Sequence, residues 1–127
     1  LLAILETDGD DKVLIGIVCI RDNVRSSIKE TVNTMNRAGV QVVMVTGDRK
    51  ETAVAIAKEA GIIKSDDNIV LTHDELDTMS DEELKEALPK LRVVSRALPL
   101  DKKRLVKLAQ DLDMIAGMTG RHHCPAL

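Results

Sequence analysis

The sequence predicts an α/β domain: a mostly parallel sheet with helices on both faces, preceded by an N-terminal hairpin. Three observations carry this. From residue 22 onward, aliphatic strand-like runs alternate with amphipathic helical stretches, the pattern of βαβ units. The 127 residues include no Phe, Tyr or Trp, so the core is aliphatic, which suits parallel strands buried on both faces. The stretch from Val40 to Ile62 passes from Val40, Val42, Val43 and Val45 through Thr46-Gly47-Asp48 directly into a helix.

Each element follows from its own pattern. Leu1–Leu5 and Val13–Ile20 are apolar runs, and Glu6 to Asp11 between them reads as a hairpin turn. Asp22 to Ala38 reads as a helix with a stripe of Ile28, Thr31, Val32 and Met35, ended by Gly39. Val40 to Val45 reads as a strand. The helix behind it repeats apolar residues at Ala53, Ile56, Ala57 and Ala60 and stops at Gly61. Asn68–Leu71 is a short strand. Ser80 and Glu83 form a capping-box pattern opening a helix to about Leu88, with Pro89 behind it. Arg92–Ser95 is another strand. Pro99 lies in the first turn of a helix to about Leu112, buried through Leu105, Leu108, Ala109 and Leu112. Met114–Met118 reads as the last strand, ending in Thr119-Gly120.

Composition excludes several classes. A net charge of −3 and a pI near 5.6 leave no basic footprint for nucleic acid, and the missing aromatics remove its stacking platforms. No apolar run approaches the roughly 20 residues of a bilayer span, and no signal peptide opens the chain. Two distant cysteines, Cys19 and Cys124, suit a reducing compartment. The expectation is one soluble, cytosol-facing domain without direct membrane insertion.

In open α/β sheets ligands gather at the C-terminal ends of strands. Two strands here end in the same pair, Thr46-Gly47 and Thr119-Gly120. A helix opening after Thr46-Gly47-Asp48 offers free N–H groups and a positive dipole end, and Thr46 adds a hydroxyl. Asp48 fits two compatible roles, a ligand contact and a helix N-cap with Glu51 three residues on. Lys102 shares the stripe of Leu105 and Ala109, where a lysine meets an anion or snorkels to water. Lys103, about 100° further round, reads as solvated. Asp22 and Arg25 flank a strand-to-helix junction, where capping and surface pairing account for both. Asp8-Gly9-Asp10 has the Asp-x-Asp form of a phosphohydrolase nucleophile, but Asp-Gly just before a second strand reads as a turn. His122, His123 and Cys124 are adjacent, which suits tetrahedral ligation badly, so no metal site is expected.

With these residues in place, the chain resembles part of the phosphorylation domain of P-type cation-transporting ATPases, the calcium-pump branch above all. Thr46, Gly47, Asp48, Thr52, Ala53, Ile56, Ala57, Gly61 and Ile62 match that family's TGD-x3-TA-x2-IA-x3-GI signature. Asp22-Asn23-Val24-Arg25 is similar to its DPxR element, with Asn for Pro. Ser95 to Lys102 resembles its AR-x2-P-x2-K element. Ala116 to Gly120, then Pro125-Ala126-Leu127, resemble the two ends of its TGDGVNDAPAL hinge. The matches run in the family's order and cover about Leu14 to Leu127.

The resemblance implies a haloacid dehalogenase-like Rossmann fold. In it an aspartate takes the γ-phosphate of ATP, Mg²⁺ neutralises charge, and the aspartyl-phosphate drives ion transport. It implies catalytic roles for Thr46 and Lys102 at the phosphoryl group, and nucleotide contacts by Asp48, Gly47, Arg25 and Asp22. It also implies partners in the rest of such an ATPase: its nucleotide-binding, actuator and membrane domains. Residues 1–21 then form a hairpin from the end of the nucleotide-binding domain, and 22–127 the Rossmann-like part. Two departures limit the chemistry. The nucleophile motif DKTGT is absent, and Arg121-His122-His123-Cys124 stands where the family has six residues with the magnesium carboxylates. The expectation is a part of an ATP-driven transporter, inactive alone. The alternatives are a free-standing phosphatase using Asp8 and Asp10, or a non-catalytic phosphate- or nucleotide-binding module.

Overall fold

The fold is taken from a computed structural model that describes residues 2–9, 11–18 and 26–117. Strands β1 (Leu2–Asp8) and β2 (Asp11–Val18) form an antiparallel hairpin in which Asp8 pairs with Asp11. Gly9 takes φ +63, the left-handed conformation that a two-residue hairpin turn demands. The turn is thus narrower than the Glu6–Asp11 span read from sequence, because both strands run on to the Asp-Gly tip.

The other described strands form a three-stranded parallel sheet in the order β3-β5-β4, built from β3 (Met44–Val45), β4 (Ile69–Thr72) and β5 (Leu91–Ser95). The helices are α1 (Ser26–Arg37), α2 (Lys50–Glu59), α3 (His73–Thr78), α4 (Asp81–Ala87) and α5 (Pro99–Asp111). They cover both faces, as the pattern requires. Val32 of α1 and Ala53, Ala57 and Ala60 in and just beyond α2 pack with Val93 on one side. Leu76, Leu84, Leu105 and Leu108, from α3, α4 and α5, pack with Leu91 and Val94 on the other.

Strand β5 serves both cores because successive residues Val93 and Val94 face opposite ways, and Arg92 is an extra residue in its register. Ile69 pairs with Leu91 but Val70 pairs with Val93. Leu91 and Val93, two apart, therefore face opposite cores.

Helix ends follow their local chemistry. Gly39 at φ +78 closes α1 by a Schellman pattern, with the Gly39 N–H on the Asn36 carbonyl and the Val40 N–H on that of Met35. Thr72 and Glu75 form a capping box on α3, and Ser80 and Glu83 another on α4.

Four expectations are corrected. The strand read from Val40 to Val45 shrinks to Met44–Val45, because Gln41 spends its side-chain amide on the Leu88 and Leu91 carbonyls, at 2.7 and 2.8 Å, and the preceding backbone makes no ladder. Residues 114–117 form no strand, since no described strand pairs with them; Ile115 is fully exposed. In α1 only Val32 is buried, while Ile28 and Met35 are each 41% exposed. Leu112 falls past the end of α5 and stays exposed.

Candidate functional site

The C-terminal ends of β3 and β5 are stitched into one edge. The Thr46 N–H donates to the Val94 carbonyl, the Ala97 N–H to that of Thr46, and the Arg96 N–H to that of Asp48, each at 2.9 Å. The turn after β3 and the loop after β5 are thereby fixed to each other. Arg96 takes φ +51, a left-handed conformation uncommon for a side-chain-bearing residue, which turns the chain from β5 towards α5.

Thr46 is half-buried, and its hydroxyl oxygen accepts the Asp48 N–H at 3.2 Å. The hydroxyl proton is left for an outside acceptor. Gly47 and Asp48 are exposed. Asp48 is not the N-cap expected of it: α2 begins at Lys50, Arg49 occupies the cap position, and no side chain caps the end. The Thr46 hydroxyl closes the turn in its place, which pushes the helix start one residue along and leaves the Asp48 carboxylate without a cap role.

Lys102 lies in the first turns of α5, half-buried, with no ion-pair partner among the described residues. It lines a cavity of about 600 Å³ whose wall also includes Val43, Val45, Leu105, Ala109 and Ile115. Lys102 thus stands beside apolar surface, where an anion would neutralise its charge. The structure brings Thr46, Gly47, Asp48 and Lys102 to one end of the sheet. Asp22 and Arg25 lie outside the described residues, as do Thr119-Gly120, His122, His123 and Cys124.

Sequence reasoning missed the groups that brace this edge. His73 Nδ1 donates to Asp101 Oδ2 at 2.8 Å, and the same oxygen accepts the Leu98 N–H at 2.7 Å. The Asp101 side chain is only 6% exposed. Its hydrogen bond to Asp101 raises the His73 pKa above the ordinary 6.5; partial burial opposes this, and the charges of Asp101, Asp77 and Asp74 add to it. The signal was half visible: Asp three residues after Leu98, with Pro between, is the N3 position of a helix. Its histidine partner is 28 residues away, and only the fold supplies it. On the neighbouring side Lys50 Nζ meets Glu75 at 3.3 Å.

Chemically, this end of the sheet offers the Thr46 hydroxyl and the Lys102 cation, the latter lining an apolar cavity. Among the described residues no group of three or more His, Cys, Asp or Glu side chains is gathered for a metal. The donors described at this edge, a hydroxyl, an amine and the single Asp48 carboxylate, do not by themselves fit Mg²⁺. Asp8 ends a strand of the antiparallel hairpin, opposite Asp11, and is not borne on a strand of the parallel sheet. No described helix is long and apolar enough to cross a membrane.

Known sequences place the chain among relatives. The profile of the haloacid dehalogenase-like hydrolases matches residues 2–110. Calcium-transporting ATPase 1 of Lactococcus lactis is 38% identical over 114 residues, covering 90% of this chain and 13% of that protein. Plasma membrane-type calcium-transporting ATPase 2 of Arabidopsis thaliana is 44% identical over 116 residues, covering 89% and 11%. A probable plasma membrane-type calcium-transporting ATPase 6 of Oryza sativa is 43% identical over 122 residues, covering 93% and 12%. The chain spans about an eighth of the length of these relatives.

Proposed function

The chain belongs to the haloacid dehalogenase-like hydrolases, and from that premise we propose that it is part of the phosphorylation domain of an ATP-driven calcium transporter. In this reading Thr46 hydrogen-bonds a phosphoryl oxygen and Lys102 neutralises it. Asp48, Gly47, Arg25 and Asp22 border the nucleotide, and ATP with Mg²⁺ is used by the whole protein. Residues 1–21 close the nucleotide-binding domain. The remaining partners are the actuator and membrane domains, and the chain lies on the cytosolic side.

The observation that carries the proposal is the stitched edge, in which three backbone bonds hold Thr46 against the loop that leads into Lys102. The open side of β3 supports it. Because the Thr46 N–H and carbonyl both turn towards β5, the Val45 groups point the other way, where no described strand pairs with them. An apolar cavity is lined in part by Val45 of this strand and by Val43 before it. A central sheet with one edge unpaired and an apolar hollow beside it is what a larger protein would complete with further strands.

The chain holds half of a phosphoryl-transfer site. Lacking an aspartate nucleophile at this edge, it binds phosphate and does not transfer it. Titration with ATP or inorganic phosphate, followed by amide shifts, is expected to move Thr46–Arg49 and Lys102 while ATP hydrolysis stays at background. Absence of shifts at those residues would defeat the binding reading, and an acid-stable phosphoenzyme formed by this chain would defeat the assignment as non-catalytic.

A further inference from the structure

We propose that His73 is a positioning residue for the anion-binding edge: through the buried Asp101 carboxylate it fixes the first turn of α5, and with it Lys102. The proposal rests on the reading of Thr46 and Lys102 as the phosphate contacts and adds to it a residue from β4's side of the sheet.

The geometry is a short relay. Asp101 Oδ2 is shared between the His73 ring, at 2.8 Å, and the Leu98 N–H, at 2.7 Å. Leu98 is the N-cap of α5, so this oxygen closes the helix start. The next residue back, Ala97, donates its N–H to the Thr46 carbonyl. Lys102 follows Asp101 directly. His73 opens α3 immediately after β4, at the same end of the sheet as Thr46. One buried oxygen therefore joins three segments: the start of α3, the loop after β5 and the turn that carries Lys102.

The bond between His73 and Asp101 strengthens when the ring is protonated, because both partners are then charged. The charged groups bearing on His73 are Asp101 from α5 and Asp74 and Asp77 from its own helix, all acidic. β4, which precedes it, carries none. Protonation tightens the hold on α5, and deprotonation loosens it while leaving a neutral hydrogen bond. A residue that merely filled space would show no such dependence.

The test uses the ¹⁵N-labelled chain and its His73→Asn variant, with His73→Gln in reserve should the first not fold by circular dichroism. Sulfate is the probe, since its charge is constant across the pH range. In the wild-type chain the Leu98 and Lys102 amides are expected to titrate with His73, and sulfate to bind roughly fivefold tighter at about pH 5.5 than at about pH 8.5. In the variant both dependences flatten; His122 and His123 are common to the two chains and cancel in the comparison. Amides that ignore the His73 titration, or a variant that keeps the wild-type pH dependence, would overturn the proposal while leaving the anion edge standing. Amides that titrate in a chain that binds no sulfate would overturn the anion edge, and this role with it.

Discussion

The Ala97 N–H meets the Thr46 carbonyl at 2.9 Å, so the turn after β3 and the approach to α5 move as one unit. Any change that shifts one strand end shifts the other, and consequences at this edge separate by whether they touch the ligand contacts or the frame that holds them.

Thr46→Val keeps the shape and removes the hydroxyl. The Asp48 N–H that it leaves is exposed and turns to water, so urea denaturation is expected to show a loss of less than about 1 kcal/mol. Phosphate or ATP affinity, read by amide shifts, is expected to fall about tenfold, since a hydrogen bond to a charged group is lost. An unchanged affinity would remove Thr46 from the site.

Leu76→Ala empties a fully buried position between α3 and the sheet and is expected to cost about 2–5 kcal/mol in denaturant unfolding. Leu100→Ala, at a position 72% exposed, is expected to stay within about 0.5 kcal/mol. Equal effects would mean that the helix faces are misassigned.

Arg104 holds the Leu76 and Met79 carbonyls and Asp81 at 2.7–3.1 Å, pinning the end of α3 and the start of α4 to α5. Lysine cannot present that fork, so Arg104→Lys is expected to lose about 1–2 kcal/mol despite keeping the charge. Full retention of the thermal midpoint in this variant would show the fork to be dispensable.

Stability is expected to decline on both sides of neutrality, from different residues. The Thr72 backbone N–H, followed by Lys50, holds the Glu75 pKa below the ordinary 4.5, against a weaker effect of burial. Its contribution is present above 4.5 and lost as pH falls through the lower folded value. His73 has the opposite sign: its contribution is complete below 6.5 and lost as pH rises through the raised folded value. Urea midpoints across pH should lose their acid limb in Glu75→Gln and their alkaline limb in His73→Asn. If each variant kept its limb, neither pair would be a determinant.

The open side of β3 and the bare aliphatic segment after α5 should make the isolated chain sticky. Sedimentation velocity is expected to show concentration-dependent association, reduced by Ile115→Lys with little change in unfolding free energy. Association unaffected by that charge would place the contact elsewhere.

The helices and their stops were largely legible in the sequence because they depend on local rules: Gly39 as a left-handed stop, Ser80 with Glu83 as a cap, Ala53 and Ala57 on one face. What failed depended on neighbours. Val40–Val45 and Met114–Met118 carry strand composition, but a strand needs a ladder; Gln41's side chain takes up carbonyls on one side, and residues 114–117 pair with no described strand. Local chemistry singles out Thr46 and Lys102 in the sequence, and the fold carries them on the turn after β3 and the first turns of α5. Asp48 was misread as a cap because the Thr46 hydroxyl competes for the same turn. The His73–Asp101 pair was invisible because its members share no local pattern.

The surplus residue in β5 has a consequence for how this sheet tolerates changes of length. Arg92 sits upstream of the pairs that count, and its guanidinium reaches back to the Pro89 and Leu91 carbonyls. From Val93 to Ser95 the strand is in phase with its neighbours, with Val94 opposite Val45 and Ser95 opposite Thr72. Irregularity is thus absorbed at the far end of the strand, acting as an expansion joint: a residue gained or lost there alters spacing near Pro89 and leaves the Thr46 edge in alignment.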